Sequence, residues 1–206
     1  MKNETQNAPH SPAVAVLCVR DDSIYKSMPE CDCYDAARDA RSYRGSLPVV
    51  AHPPCRLWGN LYKFARAENP DAERALGVWC AGRVQALGGV LEHPAGSKLW
   101  PAAGLPYPGE RDEFGGWTLA MPQYWLGHLA EKATWFYIVG IGPRDLPPVD
   151  LVLGEPSHVV GNAHGKRRAD PTYKPTITKS AREATPPRLA RWLVDLARQC
   201  RKGGEA

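Results

Sequence analysis

Residues 47–93, LPVVAHPPCRLWGNLYKFARAENPDAERALGVWCAGRVQALGGVLEH, decide the fold. Residues 47–52 (LPVVAH) form a short apolar run halted by Pro53 and Pro54, and residues 89–93 (GVLEH) form a second. Neither alternates with polar residues, which is the pattern of strands covered on both faces. Between them, residues 69–87 put Pro70 in a first helical turn and repeat Ala75, Leu76, Trp79, Cys80, Val84 and Leu87 at helical spacing. Strand, helix, strand in this order predicts a parallel crossover.

The same reading extends outward. Residues 13–20 (AVAVLCVR) and 135–140 (WFYIVG) are further apolar runs expected as buried strands. Residues 94–123, dense in Pro, Gly and Trp, are expected as a long ordered insert without regular structure. Thr185, followed by Pro186 and Pro187, is expected to cap a last helix over residues 185–202 that lines up Leu189, Trp192, Leu193, Leu196 and Cys200. Residues 1–12 read as a disordered leader and residues 13–206 as a single α/β domain on a Rossmann-like, mostly parallel sheet.

Composition agrees with one domain: 206 residues stand against a typical ~150 per domain. With 43% hydrophobic and 23% charged residues and no apolar run near ~18, a membrane-spanning chain, a collagen and a coiled coil are excluded. Seven Trp and eight Tyr against three Phe favour surfaces with polar handles. The net charge of +4 is uneven: residues 1–157 carry 15 basic and 18 acidic groups, while residues 158–206 carry 11 and 4. A basic end on an otherwise near-neutral domain points to a polyanion, with nucleic acid first, and residues 158–182 are expected as a basic DNA-contact loop. The six cysteines show no disulfide spacing, which suits a reducing cytoplasm.

Two short motifs carry the chemistry. His52-Pro53-Pro54-Cys55-Arg56 places a thiol just beyond the end of a buried strand, where open parallel sheets keep their active sites. His52 and Arg56 are expected to lower the pKa of Cys55 and raise its thiolate fraction. Glu92-His93-Pro94 ends the next strand in sequence, so Glu92 and Cys55 are expected to face one ligand. The plainer alternatives are a Cys55 that is a small buried hydrophobe, a Glu92 that caps a turn and a His93 packed on Trp100. A zinc site drawing on Cys31, Cys33, Cys55, His52 and His93 is a further alternative, but Cys-x-Cys has the wrong spacing and no second cysteine pair follows. Trp58, Tyr62 and Trp117 are candidates for stacking on an extruded base.

In this order, Pro53-Pro54-Cys55 and Glu92-His93-Pro94 resemble the Pro-Cys and Glu-Asn-Val/Pro motif pair of the DNA cytosine-5 methyltransferases. Gly127-His128 with Lys132-Ala133-Thr134 is similar to a segment of their phage relatives. The likeness runs from about residue 49 to 148. It implies attack by the Cys55 thiolate on carbon-6 of a pyrimidine, with Glu92 contacting the ring edge and His52 assisting. The chain departs from that family after its first strand, where Asp21-Asp22-Ser23-Ile24-Tyr25 stands in place of a glycine-rich AdoMet turn. With that turn, the chain resembles the phage amino acid:DNA transferases that hypermodify thymine.

That resemblance implies transfer of an amino acid, such as glycine, onto the C5-methylene of an activated 5-hydroxymethyluracil in double-stranded phage DNA, in the host cytoplasm, as protection against restriction. It implies no cofactor. Asp21, Asp22, Ser23 and Tyr25 would hold the amino acid; Arg56, Trp58 and His93 would contribute to the substrate site; Lys132, Lys166, Arg167 and Arg168 would meet DNA phosphates. The alternatives are a small cytosine-5 methyltransferase, which alone would need AdoMet, and a non-catalytic DNA-binding domain.

Overall fold

The computed structural model describes residues 11–59, 62–161 and 168–200. Six strands form one sheet: β1 (Val14–Leu17), β2 (Cys31–Tyr34), β3 (Val49–Ala51), β4 (Gly89–Pro94), β5 (Trp117–Pro122) and β6 (Ala133–Val139). Their spatial order is β2-β1-β3-β4-β6-β5. The four strands from β2 to β4 are parallel, and the β5–β6 hairpin adds an antiparallel extension along β4. The sheet is therefore mixed and mostly parallel, an α/β architecture consistent with the Rossmann-like expectation.

The expected crossover is present. Helix α1 (Pro70–Leu87) joins β3 to β4, with Pro70 in its first turn and the Asn69 side chain accepting from the Ala72 amide. The inner strands β1 and β3 are apolar throughout because successive residues serve opposite layers. Ala15, Leu17, Val49, Ala51 and Leu91 pack with Cys80, Ala81 and Val84 of α1 and with Trp100. Val14, Val16, Val50 and Val90 pack with Leu189, Leu193 and Leu196. Those last residues belong to α4 (Pro187–Gln199), which lies against β1, β3 and β4. Two shorter α-helices are also present among the described residues: α2 (Leu99–Ala102) and α3 (Lys179–Glu183).

Two expectations need correction, and one strand was not anticipated. The insert at residues 94–123 is not irregular throughout, since it supplies α2 and the whole of β5. Residues 31–34 form a strand although half-buried Cys31, Asp32 and Cys33 give it no apolar signature. Helix α4 is capped by Pro186 without a side-chain bond, not by Thr185. The expected leader falls almost wholly outside the described residues. No helix among the described residues is long and apolar enough to cross a membrane.

Strand order locates the site. From β1 the chain runs outward to β2 at the edge, whereas from β3 it runs the other way to β4. The carboxyl ends of β1 and β3 thus diverge, and the crevice left between their loops is where such sheets bind ligands.

Candidate active site

A cleft of about 1430 Å³ opens at that divergence. Its inner wall comprises the loop after β1 (residues 18–25), the loop after β3 (residues 52–56) and the end of β4 (residues 92–94). The backbone amide of His52 donates to the Leu17 carbonyl at 3.0 Å, so the two loops are tied together where they leave the sheet.

At its floor runs a chain of four side chains. Tyr25 Oη lies 3.0 Å from His52 Nε2, and His52 Nδ1 lies 3.0 Å from Glu92 Oε2. Gln123 Nε2 donates to Glu92 Oε1 at 2.6 Å, and the Lys132 ammonium stands 4.0 Å from the same oxygen. A carboxylate only accepts, so the His52 Nδ1 carries the proton of its shared bond. Burial drives the Glu92 pKa up, but Lys132, His52 and His93 together outweigh it and hold the group at about 2. Glu92 is therefore ionised at neutral pH and lines the cleft as a hydrogen-bond acceptor. Tyr25 is fully buried, and burial together with the charge of Glu92 raises its phenol, so it keeps its proton.

Cys55 is exposed and lines the cleft. Its thiol is nonetheless pushed up, first by loss of hydration against the cleft lining and then by the charge of Glu92, with Lys132 opposing. The expectation that Arg56 activates the thiol is not met: its guanidinium is turned to Glu73 of α1, with Nε 2.9 and 2.8 Å from the two carboxylate oxygens. The thiol is accessible and, at rest, protonated.

Of the other expected site residues, Asp22 and Ser23 line the cleft with Arg56. Asp22 is spent on a two-point pair with Arg20, whose Nε and Nη2 each donate to it at 2.8 Å. Tyr25 also lines the cleft, with its hydroxyl turned to His52. Asp21 faces a separate shallow groove beside Ala36. Trp58 is a core residue, 8% exposed and packed so closely on α1 that a Cβ on Gly77 would lie 2.9 Å from its Nε1; it cannot stack on a base.

Trp117 is likewise buried, its Nε1 donating to the Ile141 carbonyl at 2.8 Å. Tyr62 is covered by Lys98, 3.7 Å above its ring. His93 is fully buried with its ring 6.4 Å from that of Trp100, and burial lowers its pKa to about 4 although Glu92 pulls the other way. His93 thus packs near Trp100 as the plainer alternative has it, and it also borders the cleft.

Lys132 is drawn into the cleft with Glu92, not presented on an outer surface. Arg168 is exposed. Lys166 and Arg167 lie outside the described residues. Among the described residues no group of three or more His, Cys, Asp or Glu is arranged to hold a metal ion, and Cys31 and Cys33 are pushed up to about 12 and about 11, chiefly by burial.

Sequence reasoning missed two parts of the site. Gln123 reaches Glu92 only because the β5–β6 hairpin folds back on β4, a pairing with no local signal. The outer wall, with Glu155, Lys174, Lys179 and Arg182, comes from a segment without clear periodicity. Arg20 fastens this wall: its Nη1 donates to the Ser180 carbonyl at 3.0 Å and its Nη2 to the Ser180 hydroxyl at 3.2 Å.

No protein-family model matches the chain, and no curated protein is significantly similar to it in sequence.

Proposed function

We propose that this protein is a transferase that modifies a pyrimidine base in DNA through transient addition of Cys55 to ring carbon-6. The observation that carries the reading is the juxtaposition in one cleft of an open thiol, in the loop after β3, and a buried, ionised carboxylate near the end of the adjacent strand β4. Thiol addition needs a flat, electron-poor ring held by its edge, and Glu92 supplies an acceptor for a ring N–H. Uracil-type bases present such an N–H at N3. Because both oxygens of Glu92 already take hydrogen bonds, it is a poor proton donor to the bare N3 of cytosine. This favours a uracil-type ring over the cytosine methyltransferase alternative.

The resemblance supplies the rest of the chemistry. The Cys55 thiolate bonds to carbon-6, and the electrons displaced onto the ring expel phosphate or pyrophosphate from the C5-methylene. An amino acid nitrogen then bonds to the exposed methylene carbon and loses its proton to solvent, and the thiolate leaves carbon-6. Carbon–oxygen is exchanged for carbon–nitrogen with no change of oxidation state. The thiol, being protonated at rest, must first lose its proton when substrate fills the cleft. The cleft volume of about 1430 Å³ leaves space for a nucleotide and a second small molecule together. Lys174, Lys179 and Arg182 on the outer wall suit a phosphate backbone.

Nucleoside mass spectrometry tests the proposal. Duplex DNA containing 5-hydroxymethyluracil, incubated with the protein, a hydroxymethyluracil kinase, ATP and mixed amino acids, should yield a nucleoside heavier by one amino acid residue. Cys55→Ala should abolish that product while leaving DNA affinity within about twofold. Unchanged nucleoside composition with the wild-type protein overturns the reading in favour of a binding domain, and methyl transfer from AdoMet to cytosine overturns it in favour of the methyltransferase.

A further inference from the structure

Lys132 enters the cleft on an unusual backbone. Its backbone adopts φ 40°, a left-handed conformation uncommon for a residue with a long side chain and one that persists only where the surroundings enforce it. Two bonds enforce it here: the Lys132 carbonyl accepts from the Gln123 amide at 3.1 Å and from the Thr134 hydroxyl at 2.9 Å. Gln123 also holds Glu92, so one residue sets the position of both members of the Lys132–Glu92 pair. The Lys132 side chain is only 18% exposed, and its ammonium stands beside Glu92 in the cleft that Cys55 also lines. A lysine reaching for DNA phosphates would gain from an exposed, mobile stem; this one is confined.

We propose that the Lys132 ammonium is a catalytic group that takes the ring carbonyl beside the modified carbon and stabilises the oxyanion formed there when Cys55 adds. The inference deepens, and rests on, the reading of a pyrimidine attacked by Cys55. On a uracil ring the N3–H and the O4 carbonyl are neighbours on one edge, a donor next to an acceptor. Glu92 beside Lys132 is the complementary pair, an acceptor next to a donor.

Addition uses the sulfur electron pair to form the Sγ–C6 bond. The C5–C6 π electrons move toward C4 and the C4 carbonyl pair moves onto O4, which becomes an enolate oxygen. The thiol proton has already gone to solvent, and nothing is oxidised or reduced. The charge on O4 flows back into the ring when the leaving group departs from the C5-methylene. A fixed cation at O4 meets charge that exists only during the reaction, so its effect falls on turnover more than on binding. The same cation opposes the Glu92 charge at Cys55 and so assists loss of the thiol proton.

Steady-state product formation on 5-hydroxymethyluracil DNA, kinase and amino acids, read by nucleoside mass spectrometry, tests the role. Lys132→Gln should lower kcat by about 100-fold or more with KM for DNA within about threefold, and Lys132→Arg should restore part of the loss. Lys132→Asn, whose side chain tolerates positive φ, should behave as Lys132→Gln and keeps the test valid if glutamine strains the turn. In both neutral variants Cys55 should be alkylated by iodoacetamide more slowly at pH 8, and the salt dependence of DNA binding should not change. Wild-type kcat in either folded neutral variant overturns the inference. So does a loss confined to DNA affinity with a salt slope reduced by about one, which would make Lys132 a phosphate contact. Absence of product from the wild-type protein sinks the pyrimidine reading, and this role with it.

Discussion

Glu92 and His93 are neighbours in sequence with opposite fates, because alternate strand residues face opposite sides of the sheet. Both border the cleft, but Glu92 is paired there and stays ionised, while the fully buried His93 stays neutral. Both shifts make the protein acid-labile. His93, depressed to about 4 from an ordinary 6.5, contributes stability that is complete above about pH 6.5 and declines as the pH falls toward 4. Glu92, depressed to about 2 from 4.5, contributes stability that is complete above 4.5 and is lost between there and 2. Urea midpoints measured from pH 8 to pH 3 should therefore begin to fall near pH 6.5, and His93→Gln should flatten the upper part of that decline. A midpoint constant from pH 8 down to 4.5 would contradict the burial of a neutral His93.

Cys55 gives a second test at this scale. Because its thiol is exposed but pushed up, iodoacetamide should modify it before Cys80 and Cys200, at a rate that is low at pH 7 and still climbing above pH 9. A rate already maximal at pH 7 would mean an activated thiolate that the present geometry does not explain.

Among the elements, the readable ones are those whose signal is local. The strands β1, β3, β4 and β6 and the helix α1 were legible because buried parallel strands are continuously apolar and α1 repeats its apolar positions behind Asn69 and Pro70. Strand β2 was not, since an edge strand need bury little and Cys31, Asp32 and Cys33 remain half exposed. Nor was β5, because its pairing with β6 is made across the chain while its neighbourhood is full of turn residues. The site was legible to the same extent. Cys55 and Glu92 end readable strands, and their meeting followed from the parallel crossover; Gln123 and the inward Lys132 depend on the unread hairpin.

The element account also predicts stabilities. Leu193→Ala removes a fully buried side chain from the face of α4 and should cost about 2–5 kcal/mol in urea unfolding. Asn69→Ala, which deletes only the cap of α1, should cost about 1 kcal/mol. Equal costs would mean that α4 is not packed as described.

Across the whole molecule, Arg20 connects distant parts of the chain. Arg20 follows β1, yet it reaches Ser180 at the start of α3 and so fixes the outer wall over the inner one. The pair it makes with Asp22 is solvent-exposed and contributes little to global stability. Arg20→Ala should therefore leave the unfolding midpoint nearly unchanged while speeding amide hydrogen exchange in residues 172–185, leaving β1 and β3 protected. Uniform acceleration across the sheet would show that Arg20 serves the core instead of the wall.

The wall matters because substrate would lie between it and the thiol. The proposed mechanism has Cys55 and Glu92 act on one ring. It is tested most directly by incubating the protein with phosphorylated 5-hydroxymethyluracil DNA in the absence of any amine, then digesting both polymers and weighing the Cys55 peptide. The expected result is a pyrimidine adduct on Cys55, absent from Cys55→Ala and strongly reduced in Glu92→Gln. An unmodified Cys55 peptide, or an adduct carried by another cysteine, would contradict it.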